Sequence, residues 1–384
     1  MIQFKKKITN GAKLLQRTLY SLYKYRKTDF EQGEIYGIAY LWIWPSCPFG
    51  LPRYLISDSF IKDLALAKLL KKNFKVKFII GSYIGSVQNS YVFFNYDQKF
   101  DRYRFTDYAS ALDSICAQLE KQGNIVVPSR KERILWENKA YMHQEFERLG
   151  VRTPYTKIVK ASDILSRKLP KGIEYPFLLK EIHSCSSNGV HKITNSDDLI
   201  QKLQEITNVG ETKIILQSLI DMRRDLRVIC VRDKILLHYW RINPRSEWFP
   251  TASKFGSHLK FGDFPEKWRT DIQETFKKLE IGTGAFDVAW HKDDLDSLPL
   301  YLEVSPSYQP NPIPTDSEDL KNYGAFKKSF RVLGAYDLLF VDIVFEIQKE
   351  VLEEWLNIYV KKRSIQPLEA SLKFSATTDS AEFC

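Results

Sequence analysis

The sequence predicts a mixed α/β protein in which a small α/β domain precedes a larger α+β unit. The chain has 384 residues, which at about 150 residues per domain suggests two or three domains. It is 44% hydrophobic and 14% aromatic, so it can bury a sizeable core. Up to about residue 129, apolar segments of strand length alternate with helical segments, whereas the later strands are predicted mainly in hairpins.

The basic charge lies mainly at the start of the chain. The net charge is +10, and residues 1–28 contribute +8 of it, because they hold eight Lys and Arg and no Asp or Glu. Apolar residues recur along this segment at the spacing of one helix face: Ile8, Ala12, Leu15, Leu19 and Leu22. Residues 1–33 are therefore predicted to form a basic amphipathic arm.

Three interpretations of this arm stay open. It can pack on its own domain with a solvated basic face, lie on an anionic membrane surface, or contact nucleic acid or an acidic protein. Nucleic acid is disfavoured because no Gly-rich or aromatic-rich RNA-binding signature accompanies the arm.

Cysteine usage and hydropathy predict the compartment. The five Cys are odd in number and widely spaced, without C-x-x-C, which argues against a disulfide scaffold or a zinc ribbon and favours a reducing cytoplasm. The longest apolar run, residues 35–44, is too short to span a membrane, and no apolar signal-peptide region follows the basic start. We expect a cytoplasmic protein, with peripheral contact at the inner face of the membrane through residues 1–28 as the alternative.

The small α/β domain is predicted over residues 34–129. Its strands are predicted at 34–44, 75–81, 90–97 and 125–128. A helix over 58–72 begins at a cap of Asp58 or Ser59, and another over 106–122 begins at Thr106 or Asp107. This alternation favours a partly parallel sheet.

The larger unit begins with one long predicted helix, residues 130–149, which ends at Gly150. Further strands are predicted at 151–159, 175–182, 189–193 and 213–220, and further helices at 196–206 and 265–281. Two hairpins are predicted, one of 225–231 with 234–242 and one of 284–290 with 298–306. A long amphipathic helix over 335–361 and a disordered tail over 363–384 follow.

The second hairpin carries a pair of carboxylates. Asp287 and Glu303 lie equidistant from residue 295, so a hairpin centred there places them opposite each other. Directly opposed like charges are destabilising, and a divalent cation between them would remove that cost. Oxygen ligands suit Mg²⁺, and Ser305, on the same strand face, could add a hydroxyl. The alternative is an ordinary solvated acidic face.

Cationic residues precede this pair. Lys180 ends an apolar strand before a loop of small residues, 184–189, whose backbone N–H groups could hold phosphate. No Walker A motif and no G-x-G-x-x-G is present, so a surface turn is the alternative. Arg227 and Arg241 lie on half-buried strands of the first hairpin, where each needs an anionic partner. That partner is either a phosphate or substrate carboxylate, or an internal acid.

The order of these features resembles the ATP-grasp superfamily, and within it the RimK-like carboxylate–amine ligases of the glutathione synthase and ribosomal-protein glutamate ligase type. The resemblance covers roughly residues 130–312 and implies that two subdomains clamp ATP between two sheets. It implies a pre-ATP-grasp domain that covers the acceptor side of the cleft, followed by the ATP-grasp domain and a C-terminal helix. The implied bounds are 34–129 for the first domain, 130–331 for the second with subdomains 130–210 and 211–331, 332–362 for the helix and 363–384 for the tail.

The resemblance also implies nucleotide-binding residues. WENKAYMHQEFERLGVRTPYT (136–156) resembles the opening motif, which implies that Lys139 meets the α-phosphate, and YPFLLK (175–180) implies that Lys180 binds the α- and β-phosphates. SCSSNGVHKI (184–193) resembles the loop that folds over the phosphates, with Ser186, Ser187, Asn188 and Gly189. KIILQSLI (213–220) resembles the adenine hinge, in which Gln217, Ser218 and Leu219 face the purine.

The catalytic and metal residues follow in the same order. DLRVICV (225–231) resembles a D-[IV]-R motif, which implies that Asp225 contacts ribose and Arg227 a phosphate or the acyl group. The resemblance implies that Arg241 steadies the transferred phosphoryl group and that Lys254 belongs to the polar loop beyond it. Metal binding is implied for Asp287, Glu303 and Ser305. Two positions depart from the family pattern: Ser218 replaces the usual Glu, and Ser305 replaces the usual Asn. Because Ser305 is a weaker ligand than Asn, the number of metal ions bound, one or two, stays open.

The function implied is an ATP- and Mg²⁺-dependent ligase, with Mn²⁺ as a substitute, that joins a carboxylate to an amine through an acyl phosphate. The substrates would be small molecules, glycans or peptides, and residues 243–262 carry no signature that selects among them. Two alternatives stay open: an ATP-grasp kinase, and a catalytically degenerate nucleotide-binding module held at a membrane surface by the basic arm.

Overall fold

In a computed structural model, the strands of the described residues form three separate sheets. The structure describes residues 2–29, 31–46, 51–55, 57–96, 102–166, 169–184, 187, 189–207, 212–245, 247–252, 255–308 and 336–361. Predictions for residues 363–384 lie outside this range. The predicted domain bounds stay predictions, and the sheets are described here one by one.

The first sheet is parallel throughout, with strand order β2-β1-β3-β4. Its strands are β1 (Ile38–Trp42), β2 (Lys75–Ile79), β3 (Tyr91–Phe93) and β4 (Ile125–Val127). The helices of this part are α1 (Ile2–Lys27), α2 (Leu51–Tyr54), α3 (Asp58–Leu70) and α4 (Arg102–Lys121). The alternation in the sequence therefore predicted the four strands and the helices α3 and α4, although α4 begins earlier than predicted and the short helix α2 was not predicted.

Both predicted helix caps in this part were wrong. Helix α3 is capped by Ser57, whose extended backbone lets its hydroxyl accept the Phe60 N–H at 3.3 Å. Helix α4 begins at Arg102, so Thr106 and Asp107 lie inside the helix and neither caps it. Residues that favour caps are tolerated within a helix, which is why this signal misplaces helix starts.

The second sheet is antiparallel, with strand order β5-β8-β6-β7. Its strands are β5 (Thr156–Lys160), β6 (Phe177–Glu181), β7 (Val190–Ile193) and β8 (Lys213–Ser218). Helices α5 (Arg130–Glu137), α6 (Lys139–Arg148), α7 (Ala161–Ser166) and α8 (Ser196–Thr207) accompany it. Helices α7 and α8 pack on this sheet and enclose its apolar core.

The single helix predicted over 130–149 is two helices. Asn138 between them has φ −122° and ψ 98°, which is extended backbone. Its side-chain oxygen accepts the Tyr141 N–H at 2.9 Å and so caps α6. The backbone N–H of Lys139 bonds to the Ile182 carbonyl at 3.2 Å, beside the second sheet. The break therefore directs the start of α6 towards β6.

The third sheet is antiparallel, with strand order β11-β10-β9-β12-β13. Its strands are β9 (Arg224–Val231), β10 (Lys234–Ile242), β11 (His258–Lys260), β12 (Thr283–Ala289) and β13 (Leu300–Ser305). Helix α9 (Arg269–Lys278) follows a 3₁₀ turn, Glu266–Trp268. The last described helix is α10 (Tyr336–Leu356), and it continues as a π-helical turn, Asn357–Lys361. Both predicted hairpins are confirmed, and the short edge strand β11 was not predicted.

One apolar core joins the first sheet, α10 and the third sheet. It contains Leu41 and Phe93 from the first sheet, Ile229 and Ala285 from the third, and Trp355 from α10. The rings of Trp355 and Phe93 lie 6.2 Å apart. Because this core crosses the predicted boundary at residue 130, the small domain and the larger unit do not bury their apolar surfaces separately.

Helix α1 packs on its own chain, but not through the predicted face. Among the side chains of α1 that are described, Thr18, Ser21 and Tyr25 are buried, and the Tyr25 hydroxyl donates to the Val341 carbonyl of α10 at 3.0 Å. The leucines of the predicted face are exposed instead, as far as the described side chains from residue 15 onward show. None of the helices described here has an apolar stretch long enough to cross a bilayer.

Candidate functional site

An open cleft with about 590 Å³ of empty space lies between the second and third sheets. Its walls come from β6 and β8 on one side and from β9, β10, β12 and β13 on the other. Eight residues singled out from the sequence line it: Lys180, Ser187, Gln217, Ser218, Asp225, Arg241, Asp287 and Glu303. The fold therefore gathers residues from separate motifs into one place.

The two carboxylates of the second hairpin face each other as predicted. Asp287 of β12 is the register partner of Glu303 of β13, and the ladder shifts immediately beyond Asp287. Asp287 is buried, whereas 37% of the Glu303 side chain is exposed to the cleft and its surroundings. The Glu303 carboxylate lies 3.5 Å from the Lys139 ammonium.

Both arginines bond to internal acids. Arg227 forms a two-pronged pair with Asp287, from Nε at 2.7 Å and from NH2 at 2.8 Å. Arg241 donates from Nε to Asp225 at 2.8 Å, and its NH2 also lies 2.8 Å from Asp287. The Thr251 hydroxyl donates to Asp225 at 2.7 Å. The sequence left open whether the partner of each arginine is a bound anion or an internal acid. In this structure the partners are the internal acids Asp225 and Asp287.

The electrostatics of this network favour a charged Asp287. Burial opposes its ionisation, but the guanidiniums of Arg227 and Arg241 outweigh burial and hold the pKa of Asp287 below its ordinary value. Burial raises the pKa of Asp225, and the Arg241 charge offsets this only in part. Asp287 is therefore the firmer anion of the two.

Two lysines lie near these acids. Lys180 is buried on β6, and burial lowers the pKa of its ammonium to about 8, with Glu303 acting in the opposite direction and Lys139 in the same. Lys139 reaches the cleft residue Glu303, and its ammonium donates to the Ser184 carbonyl. Lys180 thus holds a proton at neutral pH but gives it up more readily than an exposed lysine.

His143 is a neighbour of both lysines that the sequence analysis missed. It is buried on α6, and neither ring nitrogen has a hydrogen-bond partner among the described residues. Burial, with the charges of Lys180 and Lys139, lowers its pKa to about 3. Its place, one helical turn after Lys139, was the only sequence signal that could have found it.

The small-residue loop after β6 is described only in part. The Glu181 N–H bonds to the Gly189 carbonyl at 2.8 Å, which closes the base of the loop. A Cβ on Gly189 would come within 2.7 Å of Ser184 Cβ, so this position requires glycine. Ser187 has φ +57° and lines the cleft. Ser186, Asn188 and Lys254 lie outside the described residues.

The predicted hinge lies at the end of β8. The buried Gln217 side chain lines the cleft and donates to the Thr156 hydroxyl at 2.9 Å. The Ser218 backbone N–H bonds to the Tyr155 carbonyl at 2.9 Å, and Leu219 follows the strand. On β13, the Ser305 hydroxyl donates to the Ser307 carbonyl. The hydroxyl predicted as a metal ligand is thus already engaged.

Further residues that line the cleft were not singled out individually from the sequence, although Trp248, Pro250 and Thr251 fall within the segment 243–262 that was expected to select the substrate. The apolar ones are Leu178, Val190, Ile220, Met222 and Leu302, and the segment after β10 adds Trp248, Pro250 and Thr251. Leu178 could have been found, because it lies two residues before Lys180 and so shares its strand face. The segment after β10 has no periodic pattern, and its Thr251 is joined to the site through Asp225.

The chain resembles known proteins over parts of its length. No family model matches it. The formate-dependent phosphoribosylglycinamide formyltransferase of Wigglesworthia glossinidia brevipalpis is 24% identical over 232 residues, which are 56% of this chain and 55% of that protein. The D-alanine–D-alanine ligase of Wolbachia sp. subsp. Brugia malayi (strain TRS) is 32% identical over 94 residues, 24% of this chain and 27% of that protein. The chain thus spans about half, or less, of these curated relatives.

The similarity in structure extends further. The D-alanine–D-alanine ligase of Bacillus anthracis superimposes with a TM-score of 0.50 at 13% identity, over 83% of this chain and 99% of that one. At this identity the likeness concerns the fold. The predicted ATP-grasp type of fold is confirmed, since the chain shares the fold of this ligase. Membership of the superfamily, and of its RimK-like ligases, stays a prediction.

Proposed function

We propose that the protein is an ATP- and Mg²⁺-dependent ligase that joins a carboxylate to an amine. One observation carries this proposal: Asp287 and Glu303 are register partners in the same cleft as Lys180 and Arg241. Cations and carboxylates that converge on one cleft suit phosphoryl transfer, in which positioning and charge neutralisation do most of the work. The ATP-grasp fold supports the same assignment.

The nucleotide would lie between the two sheets. Lys180 and Lys139 supply the positive charge for the phosphates, and the loop at Ser187 and Gly189 supplies backbone N–H groups. The purine would lie against the apolar wall near Ile220, with the backbone of residues 217–219 beside it. Asp225 would accept a ribose hydroxyl only if one of its lone pairs is free beside Arg241 and Thr251.

The acidic pair fits a metal that arrives with the nucleotide. Among the described residues, no group of three His, Cys, Asp or Glu could hold a metal ion by itself. Mg²⁺ commonly uses one or two carboxylates and completes its shell with phosphate oxygens and water, which matches Asp287 and Glu303. A bound Mg²⁺, or Mn²⁺ in its place, would neutralise phosphate charge. Asp287 would then share its oxygens with the metal and Arg227.

The proposed reaction has two steps. A substrate carboxylate oxygen attacks the γ-phosphorus of ATP, ADP leaves, and an acyl phosphate forms. The amine nitrogen then attacks the acyl carbon, phosphate leaves, and the nitrogen loses a proton. Arg241 and Arg227 hold positive charge beside the point where negative charge develops, and their bonds to Asp225 and Asp287 keep both guanidiniums in place.

The substrate class is a carboxylate and an amine on small molecules, glycans or peptides. Two relatives support it, because one is named for joining D-alanine to D-alanine and the other for a formate-dependent formyl transfer. Trp248 and Pro250, in the segment after β10, lie at the cleft and are the residues we expect to contact the acceptor.

ATP turnover tests this proposal. The full chain is given MgATP with pooled amino acids and small carboxylic acids, and ADP and phosphate are measured. Glu303→Gln removes the exposed acid of the pair, and we expect it to lower substrate-stimulated turnover about 100-fold or more. Glu205→Gln, on the outer surface of α8, is the matched control and should keep full turnover. Equal turnover by the Glu303→Gln protein would contradict the metal assignment.

A second candidate, a module that binds nucleotide without turnover, is favoured by two hydrogen-bond patterns. Both Asp287 oxygens are engaged by arginine, and the Ser305 hydroxyl is engaged by Ser307. Mg²⁺-dependent ATP binding, measured by calorimetry, without ADP release from any pool would favour this module. ADP release with no free phosphate and no need for an amine would instead favour a kinase.

A further inference from the structure

Helix α1 presents a row of leucines to solvent. Leu15, Leu19 and Leu22, here called the leucine stripe, are 50%, 58% and 45% exposed. Their spacing of four and three residues puts them on one side of the helix. Single exposed leucines are ordinary on protein surfaces, but a continuous apolar row is a mark of an interaction site.

The stripe is exposed on a helix that is held in place by other residues. The Tyr25 hydroxyl bonds to Val341, Arg17 pairs with Asp58 at 2.8 Å, and Lys24 pairs with Asp342. These contacts join α1 to α3 and α10 through a different side of the helix. The leucines are therefore on the surface because the helix packs through its other side.

The apolar surface continues beyond α1. The Thr18 hydroxyl bonds to the Leu55 carbonyl at 3.2 Å, so the end of α2 lies against α1. Leu51 and Leu55 there are 48% and 47% exposed. Leu51 on α2 and Leu55 immediately after it thus add two exposed leucines beside the three of α1.

The charge around the stripe indicates its partner. Residues 1–28 carry eight basic residues and no acidic one, and Arg26 and Lys27 are exposed at the end of α1. The first acids, Asp29 and Glu31, come only after the helix ends. Arg17 and Lys24 pair with internal acids, so Arg26 and Lys27 are the exposed basic residues among the described side chains of α1. Exposed leucines together with exposed basic residues suit the interface of a bilayer with anionic headgroups.

We propose that α1 docks the protein on an anionic phospholipid surface, with the leucine stripe inserted among the acyl chains and Arg26 and Lys27 at the headgroups. The docking is peripheral, since no described helix could cross a bilayer. It does not depend on the proposed ligase activity, because none of its residues lines the cleft.

Vesicle flotation of the full chain tests this proposal. The probes are vesicles of phosphatidylglycerol mixed with phosphatidylcholine, and vesicles of phosphatidylcholine alone. We expect binding to the anionic vesicles that weakens at high salt. The double variant Leu15→Gln, Leu19→Gln should bind about 30-fold more weakly, because two half-exposed leucines no longer enter the bilayer.

A matched control changes two exposed apolar residues elsewhere. Ile200→Gln with Leu298→Gln alters residues that are 43% and 60% exposed on other elements, and it should bind vesicles as the unaltered chain does. Far-ultraviolet circular dichroism and urea unfolding check that both double variants keep the fold. They should, because exposed substitutions rarely alter stability by more than about 0.5 kcal/mol.

Three results would overturn the proposal. The first is equal flotation of the leucine variant and the unaltered chain. The second is a dimer, seen by sedimentation without vesicles, that the leucine substitutions dissociate, since the stripe would then be a contact between two copies. The third is salt-sensitive binding to an oligonucleotide with no binding to vesicles.

Discussion

Asp287 contacts two kinds of neighbour, and the sequence predicted only one of them. The turn at residue 295 placed Glu303 opposite it, because strand pairing in a hairpin follows from the turn. The bidentate bond from Arg227 joins neighbouring strands β9 and β12, which are separated by more than 50 residues in the chain. No local pattern specifies that pairing, so the partner of each arginine was left open.

His143 leads to a prediction about pH. Its pKa in the folded protein is about 3, so the unfolded chain binds a proton below pH 6.5 that the folded chain refuses until about pH 3. Stability should therefore fall on acidification through this window, and His143→Met should remove that part of the fall. Between pH 7 and pH 5 we expect the difference to be about 2 kcal/mol, measured by urea unfolding at both pH values.

The control for this prediction is His258, an exposed residue on β11. His258→Gln should leave the pH dependence of unfolding unchanged. If the His143→Met protein lost as much stability between pH 7 and pH 5 as the unaltered protein, the buried neutral histidine would not be the cause.

At the scale of secondary structure, the break at Asn138 shows a limit of periodicity. The helical spacing of residues continues from 130 to 149, so the sequence predicted one helix. The break depends on a bond from the Lys139 N–H to Ile182, which belongs to another element. A distant partner for one backbone group can therefore end a helix that local propensity would continue.

We expect Asn138→Ala to lower the free energy of unfolding by about 1 kcal/mol, because the Tyr141 N–H loses its capping oxygen. Asn138→Asp keeps an acceptor at this position and should retain most of the stability. Urea denaturation measures both. Since Lys139 is the next residue, Asn138→Ala should also weaken ATP binding if Lys139 contacts phosphate. If the Asn138→Ala protein were as stable as the unaltered one, the capping bond would be dispensable.

Helix α1 gives the complementary lesson. Its leucine spacing predicted a helix correctly, but the side that packs on the protein contains Thr18, Ser21 and Tyr25. A hydrophobic stripe shows that a helix has an apolar side and does not show which surface will cover it. The structure decided that this side stays exposed.

At the scale of the whole molecule, α10 joins parts that the motifs treat as separate. Trp355 is buried, contacts Phe93 of the first sheet, and lies beside Gly282 at the start of β12. Arg232 and Lys234, at the turn between β9 and β10, pair with Glu354 and Glu350 at 3.0 and 2.9 Å. The first and third sheets are therefore coupled through one helix.

Trp355→Ala should destabilise the protein by about 3–5 kcal/mol, because it leaves a cavity where the two sheets meet. Calorimetry should show that the first and third sheets unfold together in the unaltered protein and less cooperatively in the variant. Trp355→Phe keeps an aromatic ring and should lose much less. If the Trp355→Ala variant had an unchanged melting temperature, α10 would not couple the first and third sheets.

The sequence by itself determined the order of the longer strands and helices, the two hairpins, the opposition of Asp287 and Glu303, and the ATP-grasp type of fold, but not the short elements α2, α7 and β11. These depend on spacing and turns, which act over short distances along the chain. Only the tertiary structure decided the acid that pairs with each arginine, the buried place of His143, the exposed side of α1 and the core that α10 shares with two sheets. Those features come from contacts between residues far apart in the chain, where packing and desolvation outweigh local preference.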